Sequence, residues 1–209
     1  MHADKVNRSL EVMQDIALHS KWHKISLLAY IAGYVHHYHI DKNIHPYVEK
    51  RMNETGFSHS QIETDIEGAI YKHYTGEKIN EHILSGVFNR RISFYTHVAQ
   101  MLAITLKEVF DRDFTHEDIL KSVERLIMFN KVFNNKTVSL LSKFRGLKTP
   151  LSAFSKYDNQ IDIAEVSKIF NDTNKRAALE IDAMLIALND TRKKFAIDDT
   201  LSFQGLPLF

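Results

Sequence analysis

Apolar residues return every three or four positions through most of the chain, and alternating apolar and polar runs are almost absent. This is the period of amphipathic helices rather than of half-buried strands. The first helix is predicted from about Ala3 to Leu18, with Val6, Leu10, Met13 and Ala17 on one stripe. A second, from about Lys21 to Ile40, is apolar almost all round through Ile25, Leu27, Leu28, Tyr30, Ile31, Tyr34 and Val35, which predicts a central, buried helix. Pro46 disfavours helical geometry at the residue before it, so His45 is expected at the end of this helix or just beyond. Gly56 and Ser58 then open a third helix reaching about Tyr74.

Further helices are predicted over Ile79 to Val87, Arg90 to Phe110, Glu117 to Phe133, Val138 to Phe144, Ile161 to Phe170 and Lys175 to Phe195. Thr115, with Asp118 three positions on, has the form of an N-cap with an acid at its third helical residue. Gly146 to Gln160 lacks a helical period and reads as a surface loop, and Asp198 to Phe209 as an irregular tail. The expected fold is all-α, a multi-helix bundle in one domain over residues 1–209, with a metal-site half at about 1–110 and a packing half at about 111–209.

Composition narrows the chemistry. The 27 basic and 26 acidic side chains are interspersed and leave a net charge of +1, which argues against nucleic acid or anionic membrane being bound by bulk charge alone. The N-terminus has no signal-peptide core and no apolar run approaches a membrane span, so a cytoplasmic location is expected. Cysteine is absent, so any metal must be held by imidazole and carboxylate. Eleven of the 12 histidines lie at or before His97, which places such chemistry in the N-terminal half.

The densest arrangement is AYIAGYVHHYHIDKNIHPYVEKRMNETGFSHSQIE, from Ala29 to Glu63. Residues four apart on a helix share a face, so His37 and Asp41 can converge on one ion and His45 extends the row. His59 and Glu63 repeat the spacing on the next helix, and antiparallel packing would gather all five. The donor set suits zinc, with iron or manganese also compatible, in one to three ions. An open position on such an ion activates water and polarises a phosphoryl oxygen, so hydrolysis of a phosphoester is the natural reaction. His19, His23, His73, His82 and His116 are read instead as ordinary hydrogen-bonded residues, and His36 and His39 as solvent-facing or supporting groups on other faces of the site helix. Tyr30, Tyr34, Tyr38 and Tyr47 are read as core and pocket wall.

The same stretch resembles the zinc-dependent phospholipase C family, whose bacterial members show a pattern close to GyxxHyxxDxxxHPYI followed by HsxxE. Gly33, His37, Asp41, His45, Pro46, Tyr47, His59 and Glu63 fall on those positions. The resemblance implies a helical bundle with zinc ions in a cleft and cleavage of a phospholipid phosphodiester by metal-activated water. It implies one zinc on His45, His59 and Glu63 and a second on His2, His37 and Asp41, with Asp41 and Glu63 the candidate catalytic carboxylates. Ahead of the segment matching His2, family members carry ligands for a third ion and a further metal-binding aspartate that have no counterpart in this chain. A second reading therefore stands beside the first, a non-catalytic zinc-binding protein of the same descent with a structural or ligand-recognition role.

Two minor patterns complete the reading. Arg91 and His97 fit the loose RxxxxxH spacing of helical ribonucleases of the HEPN type, and His97 fits equally a residue packed over the zinc site. The ending Gln204 to Phe209 resembles short peptides that dock in a bacterial sliding clamp. The expected partner is a phospholipid or other phosphodiester substrate, with no nucleic acid.

Overall fold

A computed structural model describes residues 5–77, 92–133, 161–189 and 195–197. Every regular element among them is helical: α1 (Val6–His19), α2 (Lys24–Thr55), α3 (His59–Thr75), a short 3₁₀ turn (Ile92–Tyr95), α4 (Thr96–Phe110), α5 (His116–Phe133) and α6 (Ile163–Asn189). The all-α expectation holds for these residues. Those of the expected helices at 79–87 and 138–144, the loop at 146–160 and the tail at 198–209 lie outside the described residues.

The helix ends follow local chemistry. Gly56, at φ +71°, closes α2 with its N–H on the Met52 carbonyl at 2.9 Å. Two residues on, Ser58 donates its N–H to Gln61 Oε1 at 3.1 Å and starts α3. Gly76, at φ +75°, ends α3 in the same way as Gly56 ends α2. At α5, Asp118 Oδ2 accepts the Thr115 N–H at 3.1 Å while Thr115 Oγ1 accepts the Asp118 N–H at 3.2 Å, the reciprocal cap predicted from the sequence. The Thr115 hydroxyl, which donates to Asp118 Oδ2 at 2.8 Å, and then the Thr115 N–H hold the Asp118 carboxyl below its ordinary pKa. Asp162 caps α6 by accepting the N–H groups of Ala164 and Glu165 at 3.1 Å each.

Two expected breaks are corrected. α2 does not end near Ile40; it continues to Thr55 with Pro46 inside it. Proline deprives the Lys42 carbonyl of its helical partner, yet burial on both sides of the break, at Tyr38, Lys42 and His45 before it and Tyr47 and Val48 after it, keeps the helix whole. Likewise the two helices expected over 161–170 and 175–195 are one, α6, although Asn171, Asp172, Thr173 and Asn174 are poor helix formers. Buried Thr173 and Ala177, and a hydrogen bond that His36 Nε2 donates to Asn174 Oδ1 at 2.9 Å, carry the helix through that stretch.

The chain forms two compact units. The first contains α1, α2 as far as Pro46, α4, the beginning of α5, and α6 from Ile169. Its core joins Val6, Leu10, Met13 and Ala17 of α1 to Leu27, Ile31, Val35 and Tyr38 of α2, Met101 of α4, and Met184 and Leu188 of α6. The predicted stripe of α1 is thus its buried face. α2 is less uniformly buried than expected, since Ile25 is 85% exposed. Side-chain amides of α1 also hold the segment 195–197: Asn7 exchanges two 2.9 Å hydrogen bonds with the Ile197 backbone, and Gln14 brackets Phe195 at 3.1 and 3.3 Å.

The second unit contains α2 from Tyr47, α3, most of α5, and α6 as far as Lys168. Val48, Ile62, Ile66 and Val166 are buried in it. The Tyr47 hydroxyl accepts the Asp162 N–H at 3.0 Å, and Lys50 pairs with Glu165 at 3.3 Å, so the end of α2 is tied to the start of α6.

Candidate metal centre

The α2–α3 hairpin is short, with Gly56 and Ser58 reversing the chain between the two helices. His45 lies on α2 eleven positions before Gly56, and His59 and Glu63 stand one above the other in the first turns of α3. The unbroken α2 fixes His45 to the residues that lead into the turn. As a result His45, His59 and Glu63 each present a ligand atom, and these atoms all lie within 4.8 Å of one another. His45 is buried, while His59 and Glu63 are half-exposed and separated by only 3.0 Å between Nε2 and Oε1. Among the described residues this is the group of three or more such side chains that meets.

The donor chemistry fits a divalent ion. Two imidazole nitrogens and one carboxylate form a three-ligand set that leaves a position open. Tetrahedral ligands with bonds of about 2.0–2.1 Å stand about 3.3 Å apart, so the set is within a side-chain adjustment of closing on an ion. Burial pushes the Tyr47 hydroxyl above its ordinary pKa, against the hydrogen bond from Asp162 that lowers it. Partial desolvation, and then the charge of Glu63 one turn earlier, raises the Glu67 carboxyl.

The remaining expected ligands divide differently. His37 and Asp41 share a face of α2 as predicted and pair with each other, Nε2 to Oδ2, at 3.2 Å. They do not join the group formed by His45, His59 and Glu63, because each lies at least one helical turn further from the hairpin. His2 lies outside the described residues. The proline predicts His45 at the end of its helix or just beyond; instead His45 lies inside α2, which runs on to Thr55.

The other histidines have resolved roles. His39 is 1% exposed and bonds Glu180 Oε2 through Nε2 at 2.8 Å, and His36 bonds Asn174, so these two tie α2 to α6 instead of facing solvent. Near them Asn43, Ile169, Asp172, Thr173 and Arg176 line a pocket of about 330 Å³ that the sequence reading missed. Its lining comes from residues more than a hundred positions apart, and no local pattern announces it. His19 and His73 are exposed, and His23 and His116 are half-buried. His97 stacks on His23 with ring centroids 3.2 Å apart, which gives it a structural contact away from the three ligands, while Arg91 and His82 lie outside the described residues. Tyr34, Tyr38 and Tyr47 are buried, as expected of core and wall. Burial drives the Tyr34 hydroxyl up to about 12.

Comparison of the chain with family models, with characterised proteins and with solved structures finds no match. Among the described residues, no helix is long and apolar enough to cross a membrane.

Proposed function

We propose that this chain is a zinc-dependent metallohydrolase, similar to the zinc-dependent phospholipase C family, that cleaves phosphodiesters. The observation that carries the reading is the convergence of His45, His59 and Glu63 from two helices. His45, His59 and Glu63 would hold a zinc ion, which would supply a Lewis acid and activate water near neutral pH. His45 and His59 each present an imidazole nitrogen, and Glu63 a carboxyl oxygen, to the shared space. Burial of His45 limits the positions its ring can take, whereas the half-exposed His59 and Glu63 leave the site open to a substrate from solvent. The His37–Asp41 pair provides the next carboxylate along α2, the one the resemblance assigns to a second ion completed by His2.

The test uses protein purified without added chelator. Zinc content is measured by mass spectrometry, and hydrolysis by release of nitrophenol from bis(p-nitrophenyl) phosphate. Activity should disappear with o-phenanthroline and return with zinc, and His59→Ala should lose both metal and activity. A fully zinc-loaded protein that hydrolyses no phosphodiester contradicts the catalytic reading. It would leave the non-catalytic zinc protein, which the separation of His37 and Asp41 from the three-ligand group also favours.

A further inference from the structure

The connection between α1 and α2 carries an unusual combination of side chains. Trp22, the sole tryptophan in the chain, is 87% exposed, and Ile25 is 85% exposed. Lys21 is exposed beside Trp22, and Lys24 is half-exposed between Trp22 and Ile25. No Asp or Glu occurs between Asp15 and Asp41, so this tip and the first half of α2 are uniformly basic or neutral.

The tip is also built rather than loose. The His23 N–H donates to Ser20 Oγ at 3.2 Å, and the Leu27 N–H donates to the His23 carbonyl at 3.0 Å. The His23 ring stacks on His97, whose Nδ1 bonds Gln100 Oε1 at 3.3 Å. His23 therefore faces inward and anchors the turn while its neighbours Trp22 and Ile25 face outward.

We propose that this tip docks on the surface of an anionic lipid bilayer. Tryptophan is favoured at the boundary between headgroups and acyl chains, where its ring is apolar and its N–H finds a polar partner. Ile25 enters beside it, and Lys21 and Lys24 meet the negative surface, each strengthening binding about fivefold. Two apolar side chains are too small a patch for a stable protein interface, which needs about 800 Å² per partner. They suit shallow, reversible anchoring. Among the described residues, another strongly exposed apolar pair, Leu179 and Ile186 on α6, has the exposed Asp182 between its members in sequence, a charge unsuited to the same surface.

This docking site stands apart from the metal centre. Ile25 and His45 are twenty residues apart on one helix, about 30 Å at 1.5 Å per residue. Binding to lipid and hydrolysis of a soluble ester can thus fail independently.

The test is the full chain with vesicles of phosphatidylcholine alone or with phosphatidylglycerol, read by Trp22 emission and by co-sedimentation. A blue shift and sedimentation that grow with the phosphatidylglycerol fraction are expected. Lys21→Gln with Lys24→Gln should weaken sedimentation about 25-fold, and Ile25→Ser should weaken it too. Both variants should keep the helical circular dichroism and the turnover of bis(p-nitrophenyl) phosphate, while His59→Ala should still bind vesicles. The proposal is overturned by an unshifted emission with every vesicle or by equal binding to neutral and anionic lipid. It is equally overturned by a Trp22 shift that appears without lipid as protein concentration rises, which would make the tip a protein contact.

Discussion

His45 shows how one residue's burial decides what it can do. It is 8% exposed and adjoins a proline, yet it sits inside a helix and shares a ligand-sized space with His59 and Glu63. Loss of a supporting group around a metal costs 10–100-fold in affinity, so His45→Ala, which removes a ligand, should weaken zinc binding by more than about 100-fold. Equilibrium competition with a chromophoric chelator measures this directly. Tyr34 makes a second residue-scale prediction. Its pKa is about 12 in the folded chain, while an exposed tyrosine ionises near pH 10. A raised pKa means that its contribution to stability is complete below about pH 10 and is lost as pH rises toward 12. Absorbance at 295 nm should show late-titrating tyrosine that diminishes in Tyr34→Phe, and the same variant should reduce the loss of stability over that range.

At the scale of elements, what could be read in the sequence was whatever local chemistry determines. Gly56 and Ser58 between α2 and α3, and Thr115 with Asp118 before α5, act within a few residues and were visible in the chain. The course of α2 through Pro46 and of α6 through Asn171 to Asn174 was not, because contacts from distant residues outweigh weak local preference there. His39 and Glu180 are 141 positions apart, and their bond has no sequence signature. The candidate site was legible as a set of residue types and spacings. Which of them meet depended on the continuity of α2.

Pro46→Ala tests that continuity. Restoring an N–H toward the Lys42 carbonyl should stabilise the chain by up to about 3 kcal/mol. Zinc binding should persist, since His45 is already helical; thermal unfolding and metal content together check both. Thr115→Ala removes the hydroxyl that accepts the Asp118 N–H, and loss of a cap of about 1 kcal/mol lowers Tm by about 2–4 °C. The Asp118 pKa is depressed, so its contribution is present above the ordinary carboxylate range and disappears as pH falls through the lower, folded value. The difference in Tm between Thr115→Ala and the unaltered chain should accordingly shrink in acid.

The molecule as a whole combines a helical scaffold with two chemically distinct features on α2. Near its start are exposed Trp22 and Ile25 with their lysines; twenty residues further along is His45, facing the ligands of α3. A hydrolase of lipid phosphodiesters would use both, whereas a purely structural zinc protein needs only the second. Chelation should lower Tm in either case, because an ion bound to folded His45, His59 and Glu63 stabilises the folded state by mass action. The most direct test of the central claim is therefore the zinc content of the purified chain beside His59→Ala, by inductively coupled plasma mass spectrometry after exhaustive dialysis. At least one tightly held zinc per chain, lost in the variant while its helical content is kept, is the predicted result. Zinc at background in the unaltered chain, or equal zinc in both proteins, would contradict it.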